Sequence, residues 1–384
     1  MLMGLFWGAW AALVPEVQLR TQATPPELGL ALLWAGGGAL PAMLVTGRLW
    51  GRFGRGLVSV MLLLFGLAAV LPALAPDVLL LGGAMALVGA SSGALDVAMN
   101  AEISEIEAAT GRRLMYLAHA LFSLAVLVAS LSAGLLRELE IGPVPVLGAV
   151  SLAFLLVALP ALAVHGGRSD PLPARDQGSA SAAPLDLRRT VALLGLLCAA
   201  AFLIEDAMMS WSALHLERSL GASPAIGGAG PGLFAAAMFT GRSLGQILSR
   251  HFAERELLVG SGTLAAAGIA LAAWSPIAEL ALLGLVVAGA GVSLAAPALF
   301  SRAGRLAGDA SRGAAVSTLT TLGYVGFVIG PPTVGLIAGL SDLRISFSVL
   351  ALLAVALAVA ARLAIAPGRP AGQLEEELPP VARA

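Results

Sequence analysis

Runs of roughly 20 apolar residues recur along nearly the whole chain, each long enough to cross a hydrocarbon layer about 30 Å thick. Hydrophobic residues fill 58% of the 384 positions and charged residues only 12%. A soluble chain is nearer half apolar and one quarter charged, so this one is read as an all-α integral membrane protein. The runs do not alternate apolar and polar residues as barrel strands must. The 46 glycines and the low aromatic share of 5% suit helices that approach closely in lipid.

Several classes are excluded. A net charge of −1 offers no basic surface to a polyanion, so no nucleic acid is expected as partner. The single cysteine, Cys198, can form no internal disulfide, and the four histidines are scattered without metal-ligand spacing. All 22 positive residues are arginine, so no glycine-rich phosphate loop followed by lysine exists. No catalytic constellation is present. The chain is not expected to be an enzyme or an ATP pump, and no cofactor or metal is expected.

Cutting at charges, Pro and Gly predicts spans at 1–19, 28–50, 56–75, 78–104, 113–136 and 143–164. A second set is predicted at 189–219, 224–246, 257–275, 277–304, 313–340 and 344–366. The first run lacks a basic leader region and is read as a span, not a signal peptide. Segment 165–187, rich in Pro, Gly, Ser and charge, reads as a linker. It separates an N-terminal six-helix bundle, 1–164, from a C-terminal one, 188–366; the acidic, proline-flanked tail 367–384 reads as disordered. Arg20, Arg137, Arg218 and Arg344 fall on one side of this layout and the other 18 arginines on the opposite side. Positive charge stays inside, which places both termini and the linker in the cytoplasm.

The halves echo each other. Thr46-Gly47-Arg48 reappears as Thr240-Gly241-Arg242 after 194 residues, Trp10-Ala11-Ala12-Leu13 as Trp211-Ser212-Ala213-Leu214 after 201, and Gly89-Ala90 as Gly289-Ala290 after 200. Three matches in order at nearly one offset indicate a duplicated six-helix unit. Duplicated halves are a transporter architecture, with the binding site near midplane at their interface.

Twelve spans in two pseudo-symmetric bundles, with Gly-Arg loops after the second and eighth, resemble the major facilitator superfamily over essentially the whole chain. Gly47-x-Leu49-x-x-Arg52-x-Gly54-Arg55 is similar to that superfamily's loop signature. Ala94-Leu95-Asp96-Val97-Ala98-Met99-Asn100, His119-Ala120-Leu121-Phe122-Ser123-Leu124, Trp211-Ser212-Ala213, and Leu322-Gly323-Tyr324-Val325-Gly326-Phe327 with Gly330-Pro331-Pro332 resemble its YbjJ-like branch, which includes rhizopine-transporter-like proteins. There are departures. Gly51 stands where the superfamily loop usually has an aspartate, and the second copy has Gln246 with no carboxylate nearby, so the carboxylate–arginine latch is weaker or built differently. Leu13 replaces an arginine usual in the branch. Ser210 replaces the carboxylate before the tryptophan, while Asp206 lies one turn earlier on the same face.

An ionised carboxylate inside a span costs at least about 2.5 kcal/mol and needs a reason to be there. Asp96, Glu205 and Asp206 are such residues and, with His119, are the proton-coupling candidates. Asp96 and Asn100 share one helix face, and His119 enters the next helix at a similar depth of roughly 10 Å. Asp96 either loads and releases a proton or forms a fixed hydrogen bond to His119 that ties two helices. Glu205 and Asp206 are adjacent and point about 100° apart, so one can face a cavity while the other serves a neighbour; the branch resemblance favours Glu205.

Substrate-binding candidates are Trp10, Asn100, Glu205, Trp211 and Tyr324. The paired indoles can stack on a sugar ring or a cation, or anchor the helices at the headgroups. Gating candidates are Arg48, Arg52, Arg242, Pro297 and Pro331: arginines at corresponding helix ends that hold an inward gate or only set topology, and prolines that kink a helix as a hinge or as fixed shape.

The resulting expectation is a secondary active transporter in a bacterial-type inner membrane, a monomer embedded in the lipid bilayer. It couples a small polar solute, sugar or polyol-like, to protons by symport as its two halves rock. The alternative is a drug or metabolite exporter for cationic amphiphiles drawn to Glu205 and Asp206; a non-transporting receptor of the same fold is a third reading.

Overall fold

The computed structural model describes residues 1–110, 114–165 and 185–365, and among these every regular element is a helix. The first six spans are α1 (Leu2–Thr21), α2 (Pro25–Phe53), α3 (Gly56–Ala68, extended by the single turn Leu71–Leu74), α4 (Val78–Thr110), α5 (Met115–Glu138) and α6 (Pro143–His165). The second set is α7 (Leu185–Leu220), α8 (Pro224–His251), α9 (Glu254–Trp274), α10 (Ala278–Val292), α11 (Ala295–Leu340) and α12 (Leu343–Ala364). The expected linker lies outside the described residues except at its ends, and so does the expected tail.

Among the described residues, eleven segments are long and apolar enough to cross a membrane. The exception among the twelve expected spans is α8. It has 28 residues, but Thr240, Arg242, Ser243, Gln246, Ser249 and Arg250 crowd its second half with polar groups. The tenth and eleventh spans are also joined differently from expectation. The helix breaks at Ser293 and Leu294, between α10 and α11, four residues before Pro297, whose ring removes the bond back to that turn. From Ala295 the helix then runs unbroken to Leu340. The expected loop there, residues 305–312, holds no proline, and its two arginines, leucine and two alanines favour a helix against one glycine, one aspartate and one serine.

Local chemistry sets the ends. Thr24 precedes Pro25 and Pro26, and its backbone N–H and hydroxyl both donate to Glu27, at 2.9 and 2.7 Å; prolines fit the first turn because their missing donors are unneeded there. Asp342 caps α12 by accepting from the Ile345 N–H at 2.9 Å. Gly221, at φ 66°, takes the left-handed conformation that closes α7.

The described chain forms two compact units. The first holds the described part of Met1–Asp176 with Ser210–Gly232 and Pro331–Leu340; the second holds the described parts of Gln177–Met209, Leu233–Gly330 and Ser341–Ala384. In the first, α2 packs on α4, α1 on α5, and α3 on α6. Phe6, Phe65 and Phe154 join α1, α3 and α6 edge to face at 5.1 and 4.8 Å. In the second, α9 packs on α10 and α12, as α3 does on α4 and α6. Large aliphatic side chains such as Leu44, Leu80, Leu156, Leu196 and Leu352 are exposed, an exterior suited to lipid and not to water.

Candidate functional site

In the first unit, Asp96 sits half-buried on α4. The Asn100 side chain, one turn on, lies beside its carboxylate, and His119, exposed on α5, lies within electrostatic reach. The structure therefore brings together the three residues that sequence spacing placed at one depth. Trp10 and Trp211 are both buried in this unit, so neither ring lies at its surface. Trp211 Nε1 and the neighbouring Ser212 hydroxyl have no hydrogen-bond partner among the described residues.

In the second unit, Glu205 and Asp206 are half-buried on α7. Arg242 reaches from α8 and donates from one terminal nitrogen to both Glu205 oxygens, at 3.1 and 3.0 Å. Asp206 has no ion-pair partner among the described residues. One turn before this acidic pair, Phe202 stacks on Phe327 at 4.4 Å, with Tyr324 beside them at 5.7 Å from Phe327. The three half-buried rings are brought together because α7 and α11 touch through glycine: a Cβ at Gly323 would lie 3.0 Å from the Cys198 sulfur and the Phe202 ring, and one at Gly326 would enter the Ala199 carbonyl. The result is an acidic, arginine-bridged patch beside an aromatic wall, able to hold a ring-bearing solute by stacking and hydrogen bonds.

The arginine-rich ends use other pairs than the family loop would. Arg48 and Arg52 are exposed, with Arg52 over the Phe53 ring at 5.4 Å. The carboxylate missing at Gly51 is replaced by α4: Arg55 pairs with Glu102 at 3.7 Å and Trp50 Nε1 donates to Glu105 at 2.8 Å. In the second half, Glu254 pairs with Arg302 at 3.5 Å and with Arg305. Pro297 is exposed, whereas Pro331 and Pro332 are buried in an unbroken helix and pack against Gly29 of α2.

Sequence reading missed one cluster. Arg137, which sequence position alone marks as a topology charge, is buried in the first unit with its side chain 5% exposed. It makes a two-pronged bond to Glu217 at 2.6 and 2.9 Å, donates to the Ala12 carbonyl at 2.8 Å, and reaches Glu16 at 3.3 Å. A signal was available: Glu16 and Glu217 stand at the same offset as Trp10 and Trp211.

The family model of the major facilitator superfamily matches residues 1–278 and again 196–382. The chain belongs to that superfamily: it is a multi-pass membrane transporter and not an enzyme. An uncharacterized transporter of this type from Yersinia pestis is 33% identical over 369 residues, covering 94% of this chain and 92% of the relative. The membrane protein MosC of Rhizobium meliloti is 29% identical over 337 residues, covering 87% and 81%. Among solved structures, a point mutant of the nucleoside transporter NupG superposes with a TM-score of 0.78 at 12% identity, over 95% of this chain and 97% of that one. A bacterial homologue of the human lysosomal transporter Spinster gives 0.72 at 18% identity, over 99% and 96%. These two likenesses concern the fold.

Proposed function

We propose that the chain is a proton-coupled secondary transporter of a small polar solute, sugar- or polyol-like, working by alternating access of two six-helix halves. The observation that carries the coupling is the Asp96 carboxylate, half-buried within a span and met by a neutral amide and an imidazole instead of an arginine. A carboxylate without a fixed counter-charge can load and release a proton as its access to water changes. The solute reading is supported by the Glu205–Arg242 pair, which neutralises one carboxylate beside the aromatic wall and leaves a neutral ring-bearing solute the better match. Export of cationic amphiphiles is the second reading; the unpaired Asp206 favours it.

In this proposal residues 1–164 and 188–366 are the two halves, joined by a cytoplasmic linker over 165–187 and followed by a cytoplasmic tail over 367–384. The protein acts as a monomer in an inner membrane, with its arginine-poor face outside. Thermal stability of the purified protein against nucleosides, sugars, inositol derivatives and lipophilic cations tests the substrate class. Stabilisation by a neutral ring-bearing solute at one hundred times its dissociation constant, about 2.7 kcal/mol, is the expected result. Stabilisation only by cations, lost in Asp206→Asn, overturns it in favour of export.

A further inference from the structure

At the arginine-poor end of the first unit, helices of the two repeats meet at matching places. A Cβ added at Gly134 of α5 would lie 2.8 Å from the Pro224 carbonyl oxygen and 3.1 Å from Gly228 Cα of α8. A Cβ at Gly335 of α11 would crowd the Pro25 carbonyl and lie 3.1 Å from Gly29 Cα of α2. By the repeat offset these are the same contact made twice. Beside the first, the buried Ser130 hydroxyl donates to the Gly228 carbonyl at 2.6 Å, and Glu138 accepts from the Ala225 N–H at 3.1 Å. To these two neutral-donor hydrogen bonds Arg137 adds a charged, two-pronged bond to Glu217 of α7.

We propose that Arg137 is the ionic latch of this face, with its two glutamates in different roles. Glu217 on α7 is the part that lets go: it takes both prongs of the guanidinium and belongs to the opposite repeat. Glu16 and the Ala12 carbonyl, on α1 of Arg137's own repeat, are its resident partners. When α7 moves away, Arg137 keeps them, so its charge is never left buried and unpaired, the arrangement that costs most. For the cycle it serves, the latch rests on the transport reading; its geometry does not.

The test is thiol labelling of detergent-purified protein, which needs no substrate and so can fail or succeed independently of flux. Cys198→Ala removes the native thiol, and Ser130→Cys places a reporter at the buried α5–α8 contact. A charged maleimide should react slowly with this reference protein. Glu217→Gln, which removes the negative charge and one of the two acceptors, and Arg137→Ala, which removes both bonds to α7, should each speed labelling about tenfold or more, while Glu16→Gln should stay within about twofold. A second reporter, Ser261→Cys, buried on α9 against the Gly291 carbonyl, should stay slow throughout. Unchanged labelling in Glu217→Gln, equal acceleration by Glu16→Gln, or acceleration at both reporters overturns the latch.

Discussion

Glu16 and Glu217 occupy equivalent positions of the two repeats and converge on one guanidinium, that of Arg137. The equivalent stretch of α11, Ile337-Ala338, is apolar, so a single arginine serves both acids. Its burial makes the cluster sensitive to truncation. Arg137→Ala, which leaves two glutamates facing each other, should cost about 3 kcal/mol or more of stability. Glu16→Gln, which weakens one bond of 3.3 Å to a partner 28% exposed, should cost about 1 kcal/mol. Denaturant unfolding of the purified variants measures both; equal losses would contradict the ranking.

The arginine-rich ends show a second use of the repeat, with polarity reversed. Arg55 pairs with Glu102 in the first half, and Glu254 pairs with Arg302 at the corresponding places in the second. The two pairs are not equivalent energetically. Arg55 is 55% exposed, so Arg55→Gln should change stability by less than about 0.5 kcal/mol. Glu254 is 16% exposed and faces Arg302 and Arg305; Glu254→Gln should cost about 1–2 kcal/mol. Thermal unfolding in low and high salt separates them, because only the exposed pair is readily screened.

Close helix contacts predict which glycines tolerate a methyl group. A Cβ at Gly89 of α4 would enter the Ala35 carbonyl of α2, and Gly89→Ala should cost about 1–3 kcal/mol through forced backbone shifts. Gly83 on the same helix has nothing within 4 Å. Gly83→Ala should be neutral or stabilising by up to about 1 kcal/mol, because alanine favours the helix. Melting temperatures that move alike in the two variants would contradict this.

Much of the fold was legible because its signal is long and redundant. Apolar runs, proline and glycine breaks, and a repeat offset near 200 residues located the helices, and Pro297 marked the break before α11. Polar content kept α8 from matching its neighbours, and a helix-forming loop erased the boundary expected after the tenth span. Site chemistry was only partly legible. Asp96, Asn100 and His119 sit on adjacent helices at one depth, so spacing alone united them. Arg242 looked like a loop-side gate because sequence gives no reach for a long side chain; in the fold it bonds Glu205 within a span. Arg137 was hidden for a related reason: a charge counted for topology can also be a buried partner when acids from distant helices converge on it.

The Glu205–Arg242 pair yields a functional prediction. If it holds the solute beside Phe202 and Tyr324, Glu205→Gln and Arg242→Ala should each slow uptake about tenfold, the worth of roughly one charged hydrogen bond. Tyr324→Phe, which keeps the ring, should be milder. Initial uptake rates with a solute found by thermal stabilisation check the order; full activity in Glu205→Gln would remove that residue from the site.

The most direct measurement is internal pH in proteoliposomes carrying the purified protein, recorded as a stabilising neutral solute is added outside without any imposed gradient. Proton-coupled symport predicts that solute entry acidifies the lumen, and that Asp96→Asn abolishes the acidification while still binding the solute. Accumulation of labelled solute with no change in lumen pH, or undiminished acidification in Asp96→Asn, would contradict the role given to Asp96.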